Sequence, residues 1–446
     1  VVAFLWLGVT TVLPVIAGEL GGLSLYGWAF TGFMLANMIA AVTLGQWADR
    51  VGAVRPFLTA FAVFIAGCAV AAAAPSWIVV LLARAAQGFG VGGVLTVVYL
   101  AVGRGYSERL RARMLAVVAS CWTIPALAGP VLLGALADSA GWRAVFAVFI
   151  PLAVLVALPA LPGLRGPGTG EPGSPRRVLA TLALTVGVGS ILVGLDSRTL
   201  AVLLPAVVVG TLITIPALRA LLPAGTLTLR RGVPSAVVVR GLVSAGYYGS
   251  EAFFPLAMTS VFLFSTTGSG LALAVGAVSW VVGAWAQARV DERGGNPGRR
   301  RRIIVGFGLL TLGIGAIAAN LAAPDALPAA LAVVGWGIGG LGMGLVYPSV
   351  TTLALGQSTQ QEQGATAGHL QLSETLSVAL VTGLGGAIIA LGRAHGWLPA
   401  LALAAVFALT TLAALIGIGA GLRTLTARST AGTRPVHADP GPPPAA

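Results

Sequence analysis

Apolar runs of roughly 16 to 28 residues recur from one end of the chain to the other, each stopped by arginine or by a proline–glycine break. A helix rising ~1.5 Å per residue crosses ~30 Å of hydrocarbon in about 20 residues. Closed β-barrels are the other way to satisfy a backbone inside lipid, but these runs lack their ~10-residue segments of alternating polarity. The runs are therefore read as spanning helices. Composition agrees: 57% of the 446 residues are hydrophobic and 9% are charged, where a soluble domain carries about 25% charged residues. The expected fold class is an all-α polytopic membrane protein.

Fourteen spans are expected, near 1–16, 27–45, 57–74, 77–102, 114–137, 143–161, 178–195, 199–219, 235–262, 268–288, 303–320, 327–355, 365–391 and 397–421. With both termini in the cytoplasm, 21 of the 26 basic residues fall in cytoplasmic segments. All are arginines; Arg143, Arg198 and Arg393 lie in outer loops, and Arg84 and Arg240 in spans. The positive-inside rule supports that orientation in a plasma membrane. The net charge of +13 arises on the inner face and needs no nucleic acid; the run GRRRR at 298–302 reads as a juxtamembrane cluster facing anionic lipid. Arginine without lysine, with abundant alanine and glycine, suggests a GC-rich bacterial genome. The chain is apolar from Val1, and a short piece is expected to precede it. Cys68 and Cys121 stand in different runs, which suggests neither a disulfide framework nor a zinc site, and no metal or cofactor is expected.

Two similar halves are expected. GQWADRVG (45–52) follows the second span of the first half and GAWAQARV (283–290) the second span of the later half. GFGVGG (88–93) and GLGMGL (340–345) mark the two fourth spans. The domains read as a six-helix bundle over 1–161, a flexible cytoplasmic linker over 162–177, a two-helix insertion over 178–222, a second six-helix bundle over 235–422, and a disordered cytoplasmic tail over 423–446. The insertion, a hairpin around Asp196, Ser197 and Arg198, has almost no polar residue facing the bilayer core and reads as structural.

These residues resemble the major facilitator superfamily, specifically its fourteen-span drug:proton antiporter branch, over about residues 1–422. Gly45, Ala48, Asp49, Arg50 and Gly52, followed by Arg55, match the superfamily's loop motif between spans two and three. Arg84, Gln87 and Gly88 match its span-four arginine motif, and Gly129, Pro130 and Gly134 resemble the span-five antiporter motif, with Pro125 and Leu133 in place of usual glycines. The branch usually carries an acid in span one where this chain has Leu5. Proton coupling through that residue is therefore not implied.

Read physically, Gly45, Asp49, Arg50, Gly52 and Arg55 form a tight, wet turn whose Asp49 can pair with an arginine or a helix amino terminus, a latch for one conformational state. GFGVGG and GIGGLG (337–342) also satisfy the G-x-G-x-x-G dinucleotide pattern, but neither follows a strand. Small residues at these spacings instead let helices approach closely where packed halves slide.

The sharpest local feature is a glutamate in the middle of RGLVSAGYYGSEAFFPLAMTSVF (240–262). Helical spacing puts Arg240, Ser244, Tyr247, Glu251, Phe254 and Met258 on one stripe. A carboxylate facing lipid there would cost about 3 kcal/mol or more, so Glu251 should face protein or water, as a site of proton uptake and release or as a packing residue. Arg240 lies three turns from Glu251, ~16 Å by helix rise, and is no partner on its own helix. Glu374, with Gln371 and Ser377 at helical spacing, is a second coupling candidate. Arg84 and Gln87 are candidates for the substrate cavity with Asn37, Tyr99, Tyr247, Phe254, Met258 and Gln371; Arg84 needs backbone carbonyls, Gln87 or a carboxylate of the other half as acceptor. His369, near a span end, could assist proton transfer or simply cap.

The resemblance implies a secondary active transporter working by alternating access, exporting drug-like or lipophilic compounds in exchange for protons. Its expected partners are a small amphipathic substrate, protons and the lipid bilayer. An importer or uniporter of a small metabolite is the competing transport reading, left open by Leu5. A non-transporting receptor or scaffold, or a membrane enzyme, has no nucleophile–base pair or metal-ligand spacing behind it, and no enzyme activity is expected.

Overall fold

The computed structural model describes residues 2–424 apart from 106–109, 111–113, 115–120, 122, 166, 167, 169, 171, 172, 198, 295–297, 360 and 361. The tail expected from 423 thus lies almost wholly outside the described residues, as do Arg198 and His437. The described residues contain no strand and fourteen α-helices: α1 (Val2–Glu19), α2 (Trp28–Val51), α3 (Val54–Ala72), α4 (Trp77–Gly105), α5 (Thr123–Ala140), α6 (Trp142–Ala160), α7 (Pro175–Asp196), α8 (Leu200–Leu221), α9 (Val233–Ser260), α10 (Thr266–Gly294), α11 (Arg299–Ala322), α12 (Ala330–Gly356), α13 (Gln363–Ala394) and α14 (Pro399–Thr424). Twelve are long and apolar enough to cross a membrane; the other two are the shorter apolar α1 and the helix α9, which carries Arg240 and Glu251. The chain is a multi-pass membrane protein of two six-helix bundles, α1–α6 and α9–α14, with the α7–α8 hairpin inserted between them.

Helix boundaries follow local chemistry more closely than hydropathy does. The segment expected as a wet turn, GQWADRVG, is mostly helix: Gly45, Asp49 and Arg50 sit on the last turns of α2, and Arg55 lies in the first turn of α3. Gly52 alone makes the sharp bend, with φ at +92°, a region essentially closed to residues with a Cβ. Gly45 serves packing instead, since a Cβ there would sit 3.0 Å from the Thr96 methyl on α4. Helix α7 starts at Pro175, inside the stretch assigned to the linker, because Ser174 caps it and proline suits the first helical turn.

The glycine stripes on α4 and α12 do bring backbones together, but within each bundle rather than between them. Gly88 and Gly92 meet the α2 backbone at Phe33 and Asn37, while Gly340 and Gly342 meet α10 at Gly276 and α11 at Gly306. The bundles join through α5 on α10, α2 on α13 and α1 on α9. There the small residues are Gly27 against Thr382 and Gly386, Gly134 against Thr266, and Gly270 against Pro130. Tyr26 Oη donates to the Ala252 carbonyl at 3.2 Å, Thr31 Oγ1 to the Ala379 carbonyl at 3.0 Å, and Thr267 gives Asp138 Oδ2 its backbone N–H and hydroxyl at 2.9 and 2.7 Å. These bonds all lie between the middle of the helices and the end opposite the arginine-rich one. At the arginine-rich end, which carries Arg50, Arg55, Arg176, Arg219 and Arg299, none of the hydrogen bonds between described residues joins one bundle to the other.

The hairpin does more than fill lipid space. Leu184, Val188 and Leu192 of α7 pack with Leu35 and Met38 of α2 and Leu376 and Ala379 of α13, covering the seam between the bundles. At its tip Trp28 Nε1 donates to Asp196 Oδ2 at 2.6 Å.

Candidate functional site

Helix α9 is the most enclosed element, packed by α1, α12, α13 and α14, so its polar stripe faces protein on every side. Glu251 is 4% exposed, takes part in none of the ion pairs among the described residues, and its Oε2 has no hydrogen-bond partner. Pro255, one turn on, has no N–H to offer the Glu251 carbonyl, so the usual helical hydrogen bond from position 255 is missing beside the carboxyl. Two turns toward the arginine-rich end, the Ser244 hydroxyl is equally buried and unpartnered. The expectation that Glu251 faces protein is met.

Arg240 and Glu374, read separately in the sequence, form one unit. Arg240 Nε donates to Glu374 Oε2 at 2.8 Å, and Nη1 donates to Thr351 Oγ1 at 2.8 Å and to the Tyr347 carbonyl at 3.3 Å. The guanidinium also lies 3.2 Å from the Tyr347 ring centroid. Glu374 is thus satisfied by an arginine of α9, not by Gln371 and Ser377 of its own helix. Gln371 is exposed and donates to Thr375 Oγ1 at 3.5 Å. Across the arginine-rich half, Tyr99 of α4 is 47% exposed and within electrostatic reach of both Glu374 and Arg240.

Tyr247, Phe254 and Met258 are buried. Tyr247 and Phe254 clasp Trp336 of α12 between them, with ring centroids at 4.7 and 4.9 Å and near-parallel planes. Tyr247, Tyr248 and Tyr347 all meet Trp280 edge-on. The structure thereby adds Trp280, Trp336, Tyr347 and Thr351 to the stripe. Their only sequence signal was a tryptophan in α10 and aromatic and hydroxyl residues in the glycine-rich stretch of α12, which hydropathy alone does not separate from lipid-facing side chains.

In the first bundle Arg84 finds the acceptors expected of it. Its Nε donates to the Ala29 carbonyl at 3.2 Å, Nη1 to Gln87 Oε1 at 2.9 Å, and the guanidinium stacks 4.4 Å from the Phe33 centroid, while Nη2 is buried without a partner. Gln87 continues the chain to the Gly67 carbonyl at 3.3 Å. Both stitch α4 to α2 and α3. Asn37 is half-buried on α2. Leu5, where the branch acid would stand, is fully buried in apolar packing.

The remaining motif residues cluster at joints. Gly129 packs on Phe4 of α1, and Pro130 and Gly134 touch the start of α10, placing the antiporter motif at the contact between bundles. Arg50 Nη2 reaches the Gly173 carbonyl at 3.5 Å and Gln46 the Ser174 carbonyl at 3.3 Å, so the loop motif meets the segment leading into α7.

Fourteen helices in two bundles with a central hairpin find their counterpart among known proteins: the family model for the Major Facilitator Superfamily matches residues 1–319. The chain belongs to the Major Facilitator Superfamily. This superfamily member is 29% identical over 379 residues to a multidrug resistance protein B homolog of Mycobacterium tuberculosis, covering 78% of this chain and 69% of the relative. It is 27% identical over 428 residues to a probable multidrug-efflux transporter of the same organism, covering 91% and 88%. Among solved structures, the superfamily fold superposes on an auto-inhibited POT family peptide transporter with a TM-score of 0.69 at 16% identity, covering 97% of each chain.

Proposed function

We propose that this superfamily transporter exports drug-like or lipophilic compounds across the plasma membrane in exchange for protons, its arginine-rich end and both termini in the cytoplasm. The observation that carries the reading is Glu251: a carboxyl deep in a spanning helix, without a cation or a bond at Oε2, has no structural task that a neutral residue would not do better. The relatives named for multidrug efflux support the substrate class.

Alternating access follows from the seam. Bonds between the bundles gather away from the arginine-rich end, while Tyr99 stands open near Glu374 in the arginine-rich half. On this reading the conformation faces the cytoplasm, and substrate enters past Gln371 and Asn37 and meets Arg84, Gln87, Tyr247, Phe254 and Met258, buried in this conformation, as the bundles rock. Glu251 and Glu374, the latter paired with Arg240, exchange protons as the bundles rock. Gly45, Asp49, Arg50, Gly52 and Arg55 act as the latch of the alternate state, and Gly129, Pro130 and Gly134 as its bearing.

Inside-out vesicles test this. A lipophilic dye should accumulate when the lumen is acidic and stop when the gradient is collapsed. Accumulation indifferent to the gradient would favour a uniporter, the reading that the buried Leu5 supports.

A further inference from the structure

At the base of the hairpin, Ser174, Arg176, Arg177 and Ala180 of the α7 start face Arg219 and Ala220 of the α8 end across a recess of about 330 Å³. Three guanidiniums line it and no carboxylate does. Among the described residues none of the three arginines forms an ion pair, although elsewhere Glu19 and Glu374 each hold one arginine and Asp291 holds two. Positive charge of this density, unbalanced by the chain itself, calls for an anion, and the amino terminus of α7 adds its own partial positive charge.

Below the arginines α8 turns apolar and outward. Ile215, Leu212 and Val208 descend α8 from Arg219, each position exposed. At helical spacing this is a continuous greasy track running from the recess into the hydrocarbon layer, whereas Leu179 and Leu182 of α7 line a separate recess against Thr43, Gln46, Trp47 and Arg50 of α2. A soluble phosphate would use the arginines and leave the track unexplained. A phospholipid uses both.

We propose that this recess binds the headgroup phosphate of an anionic phospholipid from the leaflet at the arginine-rich end, its acyl chains lying along the α8 track. The hairpin rests on α2 and α13 across the seam, so a bound lipid also braces the joint between the bundles.

Full-length protein in detergent is titrated with phosphatidylglycerol, phosphatidylcholine and inorganic phosphate, and bound lipid is counted by native mass spectrometry. The wild type should retain phosphatidylglycerol over phosphatidylcholine. The variant Arg176→Gln/Arg177→Gln/Arg219→Gln should weaken that retention at least tenfold, given about 1 kcal/mol per arginine at a membrane surface. A control with equal charge loss, Arg230→Gln/Arg231→Gln/Arg301→Gln, should keep it. Equal loss in both variants would reduce the effect to bulk surface charge and overturn the proposal. Displacement of phosphatidylglycerol by inorganic phosphate in large molar excess would overturn the lipid assignment, leaving only an anion site.

Discussion

Arg240 and Glu374 stand 134 positions apart in sequence and share a 2.8 Å ion pair between α9 and α13, their side chains 6% and 13% exposed. A pair this enclosed repays desolvation only while both members are present. Glu374→Ala should destabilise the protein by about 3 kcal/mol in detergent unfolding, and Arg240→Ala by a similar amount. The double variant should lose much less than the sum. Additive losses would show that the two groups do not depend on each other.

Glu251 allows a cleaner separation of folding from coupling. Glu251→Gln preserves volume in a packed helix and removes only the exchangeable proton, so expression and thermal stability should stay near wild type. Substrate-dependent proton movement in proteoliposomes should disappear. Normal coupling in a well-folded variant would remove this residue from the proton path.

The seam predicts a conformational shift. A side chain at Gly27 would run into the Thr382 carbonyl and Gly386, so Gly27→Val should pry α2 from α13 and disfavour the observed conformation. With exposed Cys121 replaced, a cysteine at Tyr99 should react more slowly with a membrane-impermeant maleimide in Gly27→Val than in its parent. Unchanged labelling would mean that this contact does not set the equilibrium.

Trp28 and Asp196 tie the hairpin tip to the first bundle by a hydrogen bond to a charged, partly buried carboxyl. Asp196→Ala and Trp28→Phe should each cost about 1.5–3 kcal/mol, and together scarcely more than either alone. Thermal unfolding of the four-member cycle checks this.

Much of the architecture was legible beforehand because hydrocarbon admits so few backbones. Fourteen helices and the central hairpin follow from apolar length and arginine placement, the halves were read from the paired motifs GQWADRVG and GAWAQARV, and Glu251 stood out because a lone acid in such a run is rarely incidental. Helix ends were less readable: Gly45 to Arg50 looked like a turn because they are polar, yet a helix that leaves the membrane simply continues in water until Gly52 stops it. Glycine stripes were seen but assigned to the sliding halves, whereas they join helices within a bundle, since spacing defines a face and not its neighbour.

What the chain alone determined is its solvent and therefore its helices. Pairing was decided by tertiary packing: Arg240 with Glu374, Trp336 between Tyr247 and Phe254, and the hairpin across α2 and α13. The physical reason is one of scale. Hydrophobic length is summed locally over one helix, whereas a buried charge or ring finds its partner only when helices far apart in sequence are pressed together.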